Sequence, residues 1–189
     1  MTATKNSALL VMDVQQGIVK NFASEGYLPR LAGAIAAARS ASVPVVFVGV
    51  KFRPGHPEIS KNNKVWAGVA ASNAMVSGTE PTEFTPEIAP QDGDVVVTKR
   101  RVGAFAGSDL QEILRGGEIT SIVLAGISTS GVVLSTVRLA ADLDYQITVL
   151  SDGCVDNDDE VHRVLTEKLF PRQATVLTTQ DWIDSLGSS

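Results

Sequence analysis

Four short apolar runs in this chain each end on a residue that can do chemistry. "LLVMDVQQ" ends on Asp13, "VVVTKRR" on Lys99, "VLAGIST" on Ser128 and Thr129, and "TVLSDGC" on Asp152. A carboxylate and an amine brought within a few ångströms keep each other ionised in a partly buried crevice, where the carboxyl group can exchange protons with a substrate. Taken singly each has a plainer reading: Asp13 as the cap of the next turn, Lys99 as a solvated side chain running past its strand. Together they point to acid–base chemistry.

The elements that must position them follow from the rhythm of the sequence. Apolar, mostly β-branched runs alternate with longer segments of helical period, which predicts repeated βα units. The predicted strands cover Ala8 to Val14, Pro44 to Val50, Asp94 to Thr98, Ser121 to Ala125, Gln146 to Leu150 and Ala174 to Leu177. Helices are predicted over Leu28 to Ala41, Asp109 to Arg115, Gly131 to Leu143, Asp158 to Phe170 and Thr179 to Ser185. Near-continuous apolar strands belong to a sheet covered on both faces, so the fold class is α/β: a single doubly wound domain over residues 1–189 with a mainly parallel sheet. Ligands of such sheets sit beyond the carboxyl ends of the strands, where the polar strand ends lie. The long segment from Lys51 to Gln91, with five prolines and one helix-like piece near Val65 to Met75, reads as a functional loop.

Composition removes several classes. A net charge of -5 and no basic run longer than Lys99 to Arg101 leave no nucleic-acid footprint. No apolar window is long enough for a membrane span or a signal segment, so a cytoplasmic location and a small-molecule partner are expected. The single cysteine, Cys154, excludes an internal disulfide and a multi-thiolate zinc site. His56 and Glu58 make a poor ligand set, so neither a metal nor a cofactor is expected. Arg53, with Arg100 or Arg101, is suited to receive a carboxylate; for Arg100 an ordinary surface role is the simpler expectation.

The segments "LLVMDVQ", "VVVTKRRVGAF" and "IVLAGISTSGVVLSTVRLAADLDYQITVLSD" resemble the three signature stretches of the isochorismatase-like hydrolases, also called the cysteine hydrolase family. The resemblance covers the chain outside the Lys51 to Gln91 loop. It implies Asp13 and Lys99 as catalytic residues and an oxyanion turn at Ile127, Ser128 and Val132, with a cis peptide between Ile127 and Ser128. It also implies substrate contacts from Gln15, Arg53 and Phe105, and a homo-oligomer. The family's nucleophilic cysteine falls on Val132, six residues after Gly126 and four before Thr136. A thioester intermediate therefore has no sulfur to form on. Isochorismatases also lack that cysteine, but they carry glycine there and protonate a vinyl ether instead. Val132 has a second reading as the start of a core stripe with Thr136, Leu139 and Leu143. Three functions stay open: a hydrolase without a covalent thiol intermediate, a non-catalytic binding or scaffold protein, and an amidohydrolase using another nucleophile.

Overall fold

A computed structural model of the chain describes residues 6–22 and 25–187. Its strands are β1 (Ser7–Met12), β2 (Val45–Val50), β3 (Val95–Lys99), β4 (Ser121–Ile127), β5 (Gln146–Val155) and β6 (Thr175–Leu177). They form one sheet in the order β3-β2-β1-β4-β5-β6, and every neighbouring pair is parallel. β1 and β2 are buried along their whole length, as strands covered on both faces must be. One face packs through Leu10, Met12, Val48 and Leu124 against α4 (Leu110–Gly116) and α5 (Leu134–Asp142). The other packs through Leu9, Val11, Phe47 and Val123 against α2 (Tyr27–Ser40) and α7 (Thr179–Leu186). Alternate strand residues thus feed two separate cores.

The strand order reverses between β1 and β4, which is the switch point expected to hold a ligand. Gly126 permits the close approach of these two strands. Its φ is +148°, and a Cβ there would lie 2.2 Å from the Met12 carbonyl oxygen. On the far side of β4 the pairing jumps from Leu124↔Val149 to Gly126↔Cys154, so β5 bulges through Ser151, Asp152 and Gly153. That bulge turns Asp152 away from the crevice. Its Oδ1 accepts from the Thr179 amide and hydroxyl at 2.6 and 2.8 Å, and Oδ2 pairs with Arg30 at 3.3 Å.

The segment after β2 contains α3 (Lys64–Ala71), capped by Asn63 Oδ1 accepting from the Val65 amide at 3.2 Å. A short α1 (Gln16–Val19), absent from the sequence expectation, follows β1, and α6 (Asp159–Val164) follows β5. The predicted stripe holds at Val132 and Thr136, which are buried, and is corrected at Leu139. Leu139 is 38% exposed, while the buried face carries Val133, Thr136, Val137 and Ala140. Residues Thr129–Val133 form a π-turn ahead of α5, and the wider turn shifts the phase of the face that follows. No helix among the described residues is long and apolar enough to cross a membrane.

Candidate active site

Asp13 is the first residue after β1 and adopts φ +58°, a left-handed conformation that Asp tolerates better than most side chains. The reversal carries its carboxylate under the neighbouring loops, where it is 6% exposed. Oδ2 lies 2.8 Å from Lys99 Nζ, and Oδ1 is buried with no hydrogen-bond partner. Lys99 reaches this position from the end of β3, two strands away, and is completely buried. Its ammonium also donates to the carbonyls of Arg101 at 2.9 Å and Val102 at 3.1 Å, so its three protons have three acceptors. The Trp66 ring on α3 lies 5.9 Å from Nζ and packs edge-on against Phe52, adding an aromatic cover over the cation. Burial raises the Asp13 carboxyl above its ordinary range, and the attraction of Lys99 opposes that shift without cancelling it. The pair holds a carboxyl group prepared to keep a proton, with one oxygen facing no partner.

Beside it, β4 runs into the turn. The Ile127–Ser128 peptide is cis. Ser128 Oγ accepts from the Gly131 amide at 3.1 Å, the N-cap contact expected of a serine before a helical segment. Two contacts from the far side hold the turn. The Ser130 amide donates to Asp156 Oδ2 at 2.7 Å, and Thr129 Oγ1 shares a 2.8 Å hydrogen bond with His162 Nδ1. Thr129 is fully buried, so this hydroxyl–imidazole pair positions the turn and presents no attacking oxygen. Nothing in the sequence periodicity marked His162 for this: α6 places it in a polar phase, and only the packing of α6 beside the turn gives it a partner. Replacing Thr129 by Val removes that bond and leaves the imidazole nitrogen unpaired. A loss of about 1–2 kcal/mol in urea unfolding is expected.

The other predicted site residues are placed as follows. Val132 is 2% exposed and lies in the core cluster that includes Val133, Val137 and Cys154. Gln15 is fully buried, with Nε2 donating to the Val50 and Thr82 carbonyls at 3.1 and 2.6 Å and Oε1 accepting from the Val50 amide at 2.8 Å. Both amide protons are engaged, so Gln15 clamps the ends of β1 and β2 to the loop and offers no donor to a ligand. Phe105 is not brought to Asp13 either. Its ring stacks on Tyr145, at the amino end of β5, with centroids 5.9 Å apart. The chain after Lys99 descends along the sheet toward α4, and the apolar ring takes a core position there.

Arg53 is exposed and pairs with Glu58 at 2.6 Å. The surface role expected of Arg100 is corrected: its side chain is 22% exposed, and Nε reaches the same Glu58 oxygen at 3.3 Å. His56 is buried against Phe52, with Nε2 2.7 Å from the Ala74 carbonyl oxygen. No group of three or more potential metal-ligating side chains occurs among the described residues. Cys154 is buried, and burial pushes its thiol up to about 12, far from a nucleophile's range. A cleft of about 730 Å³, lined by Ser121, Gln146 and Trp182 among others, borders the amino ends of β4 and β5. It lies at the wrong edge of the sheet for this chemistry.

Comparisons with known proteins show the family and the fold. The chain is 35% identical over 182 residues to the isochorismatase family protein YwoC of Bacillus subtilis (strain 168), covering 96% of this chain and 95% of that one. It is 28% identical over 190 residues to the maleamate amidohydrolase of Pseudomonas putida, with 96% and 87% covered. An isochorismatase family protein from Burkholderia thailandensis superposes with a TM-score of 0.83 at 30% identity, over 97% of this chain and 96% of that chain. An isochorismatase domain matches residues 7–181, almost the whole of the described sheet with its helices, and the chain therefore belongs to the isochorismatase family.

Proposed function

We propose that this protein hydrolyses a small, anionic molecule without a covalent thiol intermediate, using Asp13 as proton donor and acceptor and Lys99 as its electrostatic partner. The observation that carries this reading is the buried Asp13 carboxyl, with Oδ2 on Lys99 and Oδ1 facing no partner. A carboxyl group whose proton affinity is raised by burial suits general acid catalysis. Val132 occupies the place where the family resemblance puts its nucleophile, and its side chain cannot form a thioester. The chemistry then runs through the acid. On an enol ether, Asp13 protonates the carbon–carbon double bond, water adds to the resulting oxocarbenium ion, and the proton released from that water returns to the carboxylate. The alkoxy group leaves as an alcohol when the hemiketal collapses. Arg53 receives the anionic end of the substrate.

A second reading, a binding protein that keeps the crevice, is favoured by one observation: the Val132 side chain is buried in the core at the position in question. Incubation with maleamate, with a carboxylated enol ether and with a simple carboxylate ester separates the two. Hydrolysis of the enol ether is the expected result. Binding measurable by thermal shift with no turnover of any of the three would replace the hydrolase by the binding protein, and turnover of maleamate alone would restore an amidohydrolase with another nucleophile.

A further inference from the structure

Arg53 and Arg100 come from different loops, yet both guanidinium groups meet on a single oxygen. Glu58 Oε1 lies 2.6 Å from Arg53 Nη1 and 3.3 Å from Arg100 Nε, and the Arg53 amide is 3.4 Å away. The second oxygen, Oε2, is buried and has no hydrogen-bond partner. A carboxylate built permanently into an arginine pair would be expected to use both oxygens against the fork of donors. Here Oε1 takes the contacts from both arginines and Oε2 takes none of them. The glutamate is a poor fit for the place it fills.

The position is also the right one for a ligand. Arg100 directly follows Lys99, and Arg53 follows β2, the strand that lies between those bearing Lys99 and Asp13. Two guanidinium groups against one carboxylate leave one positive charge uncompensated at the carboxyl edge of the sheet that also carries Asp13. The Arg53 side chain is 66% exposed, whereas Glu58 is 12% exposed. One wall of the pair is therefore open to solvent while the glutamate sits inside. Burial acts to raise the Glu58 carboxyl, and hydrogen bonds from its own amide and from Arg53 outweigh it, holding the group below its ordinary range and charged at neutral pH.

We propose that Arg53 and Arg100 form a carboxylate-binding subsite, and that Glu58 occupies it as an intramolecular competitor which a ligand's carboxylate displaces. The proposal rests on the reading of Arg53 as the receiver of an anionic substrate, and it adds the substrate class: a carboxylate at one end, with the hydrolysable group at the other end directed toward Asp13. It also adds a regulation. An internal competitor lowers the apparent affinity by the fraction of time it occupies the subsite, so only a ligand that also engages the rest of the crevice is held firmly.

The test is calorimetric titration with succinate, and with neutral succinamide as the control, at fixed ionic strength. Glu58→Gln removes the competing charge and is expected to tighten succinate about tenfold, while succinamide binding stays unchanged. Glu58→Asp keeps the charge but withdraws it on a shorter stem, and is expected to tighten succinate by a smaller factor. This second variant carries the test if the first folds poorly. Arg53→Gln and Arg100→Gln are each expected to weaken succinate. Unchanged or weaker succinate binding by both Glu58 variants would overturn the competitor, as would no detectable binding by either. If the Glu58 variants leave binding unchanged while the arginine variants weaken it, the carboxylate subsite stands and only the competitor falls. If the arginine variants bind succinate as wild type does, the reading of Arg53 itself fails.

Discussion

Asp13→Asn is expected to lower turnover by about 10²- to 10⁴-fold, the contribution typical of a general acid, while moving the melting temperature by only a few degrees. The two halves of this expectation have one cause. In the native site burial penalises the carboxylate by more than Lys99 recovers, so the folded protein keeps the carboxyl proton to a higher pH than the unfolded chain does. Asn has nearly the same shape, is neutral at every pH, and tolerates the +58° backbone of this position at least as well as Asp. What it lacks is a transferable proton. Rates should be measured on whichever of the three probe substrates the wild-type protein turns over, and undiminished turnover would exclude Asp13 as the acid.

The same substitution makes a signed pH prediction. Because the Asp13 carboxyl is raised in the folded state, folding is linked to keeping its proton. The stability this supplies is complete below about pH 4, the unfolded value, and fades as pH rises through the higher folded value. The substituted protein has no such dependence at this position. Its melting temperature relative to wild type should therefore climb as pH rises through that window. A fall over the same range would mean that Lys99 outweighs burial and that Asp13 is held as a carboxylate, which suits a base better than an acid.

The meeting of Asp13 and Lys99 is legible in the sequence because both stand at strand ends. An apolar run sets the polar residue that ends it at the carboxyl edge of the sheet, so Asp13, directly after β1, and Lys99, the last residue of β3, are marked by the pattern that makes those strands. Ser128 is legible for a similar reason, since a serine before a helical period is an N-cap. Other contacts have the opposite property. Gln15 and Phe105 lie inside matching segments but engage the protein's own backbone and a core ring, contacts that depend on the loop reaching Thr82 and on the approach of Tyr145. Arg100 meets Glu58, Lys99 meets Trp66 and Thr129 meets His162 across 30 or more positions, and no local period encodes which cation or hydroxyl a loop residue will meet. The phase of α5 was lost to a π-turn whose extra residue is invisible to a search for a period of 3.6.

The turn itself is tested by Val132→Cys, made with Cys154→Ala so that one thiol remains. Val and Cys are close in volume, so the exchange should cost less than about 1.5 kcal/mol of stability. Two influences act to raise the new thiol: burial, since Val132 is 2% exposed, and the negative charge of Asp13 when ionised. Cys154 shows how large the first is, because burial among strands with no positive partner carries that thiol up to about 12. Position 132 differs in what lies around it. It sits in the first turn of a helical stretch that runs from Thr129 to Asp142, at the positive end of the backbone dipole. A Cβ at the adjacent Gly131 would lie 4.0 Å from the Val102 side chain, and the Val102 carbonyl accepts a hydrogen bond from Lys99, so the loop that holds the cation runs beside the turn.

Helix amino ends and nearby lysines bring reactive thiols below the ordinary value of about 8.5, and that is the expected result. The midpoint should be read from thiolate absorbance against pH as well as from alkylation. A thiol of lower pKa is also a weaker nucleophile, so a rate at one pH would understate the shift. The Cys154 protein without the substitution supplies the contrast, with no thiolate forming until far higher pH. A midpoint at or above the ordinary value would mean that this turn does not stabilise negative charge. The crevice would then lack a site for the oxyanion of amide hydrolysis, and the amidohydrolase reading would fall, whereas the oxocarbenium ion of the enol-ether route is positive and makes no use of such a site.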